Sequence, residues 1–194
     1  MLKRTIQACS IVIAFSVCAA SASAQWTVHA LAGNMRVVNV ASKTLIIEAN
    51  DGTDGIFQLP QNDKIKLSFD KDVRAATVAP EKATGDAGEV IVFFFDDGNA
   101  RTVVAVESIG AGTFEKKAGT VLSFNRHDHT LVMQTDGGPH ETITISDKTV
   151  VDTPDGVVSG HKFDPHPGEH MHLLAESKDG QDQALLIRFD GNRI

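Results

Sequence analysis

Tyrosine is absent from the 194 residues, tryptophan occurs once, at Trp26, and the only two cysteines, Cys9 and Cys18, lie near the N-terminus. Positive charge is also in deficit: 18 Lys and Arg face 25 Asp and Glu, giving a formal charge of -7. These scarcities remove several function classes. Sequence-tolerant binding of single-stranded nucleic acid uses a basic groove with aromatic platforms, and binding to duplexes or anionic lipid uses clustered cations. Thiolate zinc sites and cysteine nucleophiles need cysteines in the body of the chain. No apolar run is long enough to cross a bilayer as a helix.

Lys3 and Arg4, the apolar stretch from Ile11 to Val17 and the small residues Ala22-Ser23-Ala24 have the form of a secretory signal segment. Residues 1–24 are therefore expected to be removed, which takes both cysteines and, with Lys3 and Arg4, shifts the formal charge from -7 to -9. Lipid attachment at Cys18 is the alternative, but Phe15-Ser16-Val17 is a poor match to the motif that attachment requires. The expected location is the periplasm or the extracellular space.

The remaining chain repeats itself at a spacing near 86. Gly33-Asn34-Met35-Arg36-Val37-Val38-Asn39, Thr44-Leu45 and the turn at Asn50-Asp51-Gly52 recur as Gly119-Thr120-Val121-Leu122-Ser123-Phe124-Asn125, Thr130-Leu131 and Asp136-Gly137-Gly138. Later the spacing falls to about 80, where Gly88-Glu89-Val90-Ile91-Val92 is answered by Gly168-Glu169-His170-Met171-His172. Asp97-Gly98 and Asp179-Gly180 precede a final strand in each unit. Two tandem units follow: 33–109 and 119–194, with 25–32 as an N-terminal lead and 110–118 as a linker. Each unit is a series of short Val, Ile, Leu, Thr and Phe runs divided by Asp-Gly or Gly-Gly turns, the pattern of hairpin-connected strands. In the second unit the strands are expected at 119–126, 130–135, 140–146, 169–176 and 184–189. Lys64 to Phe69 reads as an extra strand of the first unit, Asp72 to Thr77 as a short helical turn, and Phe93-Phe94-Phe95 as a strand buried on both faces at a contact between the units. The fold class is all-β: two tandem five-to-six-stranded OB-like β-barrels, closure removing most unpaired strand edges.

The Gly-x-Val start, the Thr-Leu second strand, the Asp-Gly turns and the Ala-Gly-Glu or Pro-Gly-Glu before strand four resemble a bacterial secreted family of unknown function built from repeated OB-like small β-barrels. That resemblance covers nearly all of the chain after residue 24 and implies a fold and an envelope address, with no activity. Periplasmic copper-chaperone barrels share the architecture, with a metal site of His, Met and Trp; here Met133 lies in the corresponding region and Trp26 falls outside both units.

Seven of the eight histidines lie between residues 127 and 172, all in or beside the second unit: His127, His129, His140, His161, His166, His170 and His172. Aligned at the local spacing, the first unit has Ala41 and Lys43 opposite His127 and His129, and Val90 and Val92 opposite His170 and His172, so the scaffold does not demand imidazole. Pairing of the first and fourth strands is expected to bring His127 and His129 beside His170 and His172, with His161 and His166 on the adjoining loop and His140 at the opposite end. Those six residues, His127, His129, His161, His166, His170 and His172, are the candidate metal ligands, with Asp128, Asp164 and Glu169 as nearby carboxylates. Imidazole and carboxylate without thiolate suit Zn(II) or Cu(II) better than Cu(I). Against this stands the ordinary explanation that Asp-His-Thr and Asp-Pro-His-Pro-Gly are common turn compositions.

Calcium loops and a Gly-x-Ser-x-Gly nucleophile elbow are both missing. The expected function is therefore a non-enzymatic binding or scaffold protein whose partner is a metal ion or an envelope protein.

Overall fold

In the computed structural model the described residues are 26–39, 41–49, 55–60, 70–82, 88–178 and 180–190. Residues 1–24, read as a signal segment, and the expected strand at 64–69 lie outside them.

The chain folds as two β-barrel units. The first contains β1 (His29–Asn39), β2 (Thr44–Ala49), β3 (Gly55–Gln58), β4 (Glu89–Asp96) and β5 (Arg101–Gly110), closed in the order β1-β2-β3-β5-β4. A short helix, α1 (Lys71–Ala75), lies between β3 and β4, and its first turn is held by Asp70, whose side chain accepts from the Asp72 amide. The second contains β6 (Phe114–Asn125), β7 (Thr130–Thr135), β8 (His140–Thr144), β9 (Val150–Thr153), β10 (Gly156–Ser159), β11 (His170–Lys178) and β12 (Gln181–Phe189). Its ring β6-β7-β8-β12-β11 repeats the first topology, with β9 added beside β12 in parallel and β10 paired to β9.

Alternation explains the two cores. Along β2, Leu45 and Ile47 point inward while Ile46 and Glu48 face out. The first core gathers Leu31, Leu45, Phe57, Val92 and Phe94, and the second gathers Val121, Leu131, Met133, Met171 and Ile187. A third apolar cluster joins the barrels, with Phe93, Ile91, Ala32 and Ala105 from the first and Leu174, Leu186, Val150 and Val157 from the second. Phe93 and Phe94 thus serve opposite faces of one strand. The amide of Val157 also donates to the Val28 carbonyl at 3.0 Å, and Lys162 pairs with Asp70 at 2.5 Å across the same seam.

The repeat has a backbone cause. Bulges fall between Met35 and Val37 and between Val121 and Ser123. The turns that follow hold Lys43 and His129 at φ 52° and 50°, and their carbonyls accept from the amides of Leu59 and Ile145, both at 2.8 Å. Gly33 and Gly119 sit where a long first strand passes from one partner to the other. A β-carbon at Gly119 would lie 2.2 Å from the Gln134 carbonyl oxygen, and one at Gly33 2.5 Å from that of Glu48, so only glycine fits the crossing.

Several sequence boundaries shift. β1 begins at His29, so much of the 25–32 lead belongs to the first barrel. β6 begins at Phe114, so 114–118 is strand and only 111–113 separate it from β5. The hairpin β9–β10 fills the gap that the sequence reading left between strands three and four. Finally, Gly33 pairs with Val90 and Gly119 with Met171. The true offset at strand four is therefore 81, which aligns His170 with Glu89 and His172 with Ile91. A one-residue slip exchanges the two faces of a strand, which is why the valines first set opposite the histidines are core residues.

Candidate metal centre

Strand alternation sends Met171 and Leu173 of β11 into the second core and leaves His170 and His172 on the outer surface. Their rings stand 5.6 Å apart, close to perpendicular at 79°. The neighbouring strand completes the group. His172 pairs with Arg188 in the β11–β12 ladder, so the next outward residue, Asp190, emerges opposite His170, whose carbonyl accepts from the Asp190 amide at 3.3 Å. The Asp190 carboxylate then lies between the imidazoles, 2.5 Å from His170 Nδ1 and 2.8 Å from His172 Nε2. From the other side the β7–β8 turn brings Asp136 to His170 Nε2 at 3.0 Å, the turn itself being pinned by the Asp136 amide donating to Ala118 at 2.9 Å.

His170 therefore has a carboxylate at each ring nitrogen. Burial works to depress its pKa, but hydrogen bonds to Asp136 and Asp190 outweigh that and the net displacement is upward. A second polar group runs from this site to the seam. Arg188 Nε lies 3.4 Å from Asp152, and Asp152 accepts from His29 Nδ1 of the first barrel at 2.9 Å. Burial raises the Asp152 carboxyl despite its His29 partner, while the hydrogen bond to Asp152 raises His29.

Of the six proposed ligands, only His170 and His172 meet. The reason is the division of β6 between two partners: residues 114–120 pair with β11 and residues 119–125 with β7. His170 faces Thr120, so His127 lies seven residues farther along, roughly 20 Å away at strand spacing. His127 and His129 belong to the exposed β6–β7 turn, where Asn125 Oδ1 accepts from the His127 amide at 2.9 Å. His161, on a 3₁₀ turn at Gly160–Lys162, shares a 2.6 Å hydrogen bond with the Ser159 hydroxyl. His166 is exposed, its ring 3.9 Å from Glu169 and its amide donating to that carboxylate. His140 pairs with Gln134, which pairs with Thr120. It therefore lies at the same end as His170 rather than the opposite one, three strands and roughly 14 Å away. Asp128 and Asp164 are engaged by Asn125 and Arg126.

The residues that sequence reasoning missed are Asp136 and Asp190. Asp136 lies in the β7–β8 turn and reads as turn geometry, and Asp190 follows the last strand; the signal for Asp190 is the antiparallel ladder, which places the residue after β12 opposite the first residue of β11. Among the described residues, His170, His172 and Asp190 are the group whose ligand atoms all lie within 4.8 Å of one another. Met133 and Met171 are fully buried in the second core, so neither thioether reaches this face.

Compared with known families and with curated proteins, the sequence matches none.

Proposed function

We propose that this chain is a non-enzymatic, two-barrel protein of the bacterial cell envelope that binds a divalent transition metal, Zn(II) or Cu(II), on the outer face of its second barrel. The observation carrying this reading is the convergence of two imidazoles and one carboxylate from adjacent strands. His170 Nδ1, His172 Nε2 and Asp190 are the ligands. Asp136 takes the outer position common in metal sites, accepting from His170 Nε2–H and thereby fixing its tautomer. Ligand atoms around a tetrahedral ion with bonds near 2.0 to 2.1 Å stand roughly 3.3 Å apart. The 2.5 and 2.8 Å contacts need to open by less than 1 Å, within reach of a rotamer adjustment by the half-exposed Asp190. With no sulfur on this face, the donor set favours Zn(II) or Cu(II) over Cu(I).

Calorimetric titration of the protein with Zn(II) and Cu(II) tests this. Binding tighter than about 10 µM is expected, lost in His172→Ala and Asp190→Asn and unchanged in His127→Ala. Asp136→Asn should weaken it by about tenfold or more. Failure to bind, or binding indifferent to His170→Ala with His172→Ala, refutes the assignment.

A second reading, an envelope protein-interaction module, rests on a different surface. Val37, Ile46 and Ile56 form an exposed row across β1, β2 and β3, where the second barrel carries Ser123, Val132 and Thr142. Capture of the same envelope protein with and without chelator would favour it.

A further inference from the structure

Beside the metal ligands the outer face of the second barrel continues in two cross-strand rows. One runs from Ala118 through His172 to Arg188, and the next from Lys116 through Leu174 to Leu186. Ala32 of the first barrel joins them in lining a cavity of about 140 Å³. Its floor is apolar, made by Ala32, Leu174 and Leu186, all nearly inaccessible to water. Its charged and titratable wall residues are all basic, Lys116, Lys117, His172 and Arg188, although the chain as a whole carries -7. Lys117 turns its ammonium to Glu115, Glu141 and Asp182, so the cationic rim is chiefly Lys116 and Arg188. Arg188 Nε lies 3.4 Å from the Asp152 carboxylate.

An apolar floor under a cationic rim complements a small anion with an apolar body. Size narrows the class further: an apolar cavity of about 150 Å³ accepts benzene, so the body is one ring or a chain of five or six carbons. We infer that this inter-barrel cavity binds a small apolar monocarboxylate, its body against Ala32, Leu174 and Leu186 and its carboxylate toward Lys116 and the guanidinium fork of Arg188. A concave, mostly apolar pocket with a few converging polar groups is the usual form of a small-molecule site. The first barrel contributes Ala32 to the lining, so both barrels take part in the site. This inference does not require the metal, even though His172 borders both.

The test titrates benzoate into EDTA-treated protein by calorimetry, with benzyl alcohol supplying the body without the charge and acetate the charge without the body. Benzoate should saturate with a Kd of about 1 mM or tighter, and both comparators should bind at least ten times more weakly. Ala118→Leu, which fills the cavity from its partly exposed wall, should abolish benzoate binding while leaving the melting temperature within a few degrees. Lys116→Gln, at an exposed position, should weaken benzoate several-fold. His170→Ala removes a metal ligand without touching the cavity and should leave benzoate binding intact, which separates this inference from the metal assignment. Equal binding of acetate or of benzyl alcohol, no saturation by 10 mM benzoate, or undiminished binding to Ala118→Leu overturns it.

Discussion

Glu107 offers a direct measure of how tightly the two barrels are joined. It lies on the face of β5 that also carries Ala105 and Ile109 into the seam, and it pairs across the ladder with Ile91. Burial there lifts its carboxyl from 4.5 to about 7, against a smaller opposing influence from Lys148 of the second barrel. Below pH 4.5 both folded and unfolded chains hold the proton. Between pH 4.5 and 7 the unfolded chain releases it while the folded chain keeps it, so stability falls as pH rises; above 7 the loss is complete. A shift of this size corresponds to about 3 kcal/mol in full, and because the carboxyl is partly open to water we expect about 1 to 2 kcal/mol. Glu107→Gln removes the titration while keeping shape. Urea unfolding followed by the fluorescence of Trp26, which stacks on Phe95 at 5.3 Å, should find the variant equal to the parent at pH 4 and more stable by about 1 to 2 kcal/mol at pH 8. His29 also loses stabilising protonation with rising pH, so the difference between the two proteins, and not the parent's curve, is the quantity to read. A difference that is constant from pH 4 to pH 8, or a parent that is the more stable at pH 8, would refute the argument.

Four further outcomes follow from the same packing. Gly119→Ala forces a β-carbon against the backbone of β7 and should cost about 1 to 3 kcal/mol or more; Gly168→Ala, with φ 93° and open space around it, should cost about 1 kcal/mol by urea titration. Phe93→Ala empties the centre of the seam and should cost about 3 to 5 kcal/mol, splitting a single thermal transition into two by calorimetry; one sharp transition would show that the barrels do not depend on it. His29→Ala removes the hydrogen-bond partner of the buried Asp152 carboxylate and should destabilise by about 1 to 3 kcal/mol at pH 6 in the same unfolding assay.

Much of the strand order was legible because alternation and turn chemistry act locally. Thr130–Thr135 has the bounds that its sequence pattern suggests, and the recurrence of Gly33 as Gly119 reflects a steric demand that only glycine meets. The hairpin β9–β10 was readable too: Thr153-Pro154-Asp155-Gly156 between two Val-Val pairs is a turn signature, overlooked because nothing in the first unit answers it. The candidate site was legible only in part. Which half of a twelve-residue strand pairs with which neighbour is decided by barrel closure, and that long-range choice separates His127 and His129 from His170 and His172. The place of Asp190 beside His170 and His172 likewise depends on a ladder register that no local pattern encodes.

With the register corrected to 81, the asymmetry between the units becomes a statement about the seam. Phe93 and Ala105 in the first barrel correspond to Leu174 and Leu186 in the second, and Ala32 corresponds to Ala118. Equivalent strand faces therefore supply part of the seam, and β9 and β10, which have no counterpart in the first barrel, supply the rest through Val150 and Val157. The match is incomplete. Ile91 is buried in the seam, whereas its counterpart His172 is exposed; Glu107 and its counterpart Arg188 are both half-buried. A side chain at 172 therefore escapes the desolvation cost that a polar residue would meet at Ile91. His172 stands in a cross-strand row between Ala118 and Arg188, and His170 and Asp190 follow along the same outer face. The outer face at this end of β11 and β12 thus gathers the candidate ligands, and Ala32 of the first barrel completes the lining of the adjoining cavity.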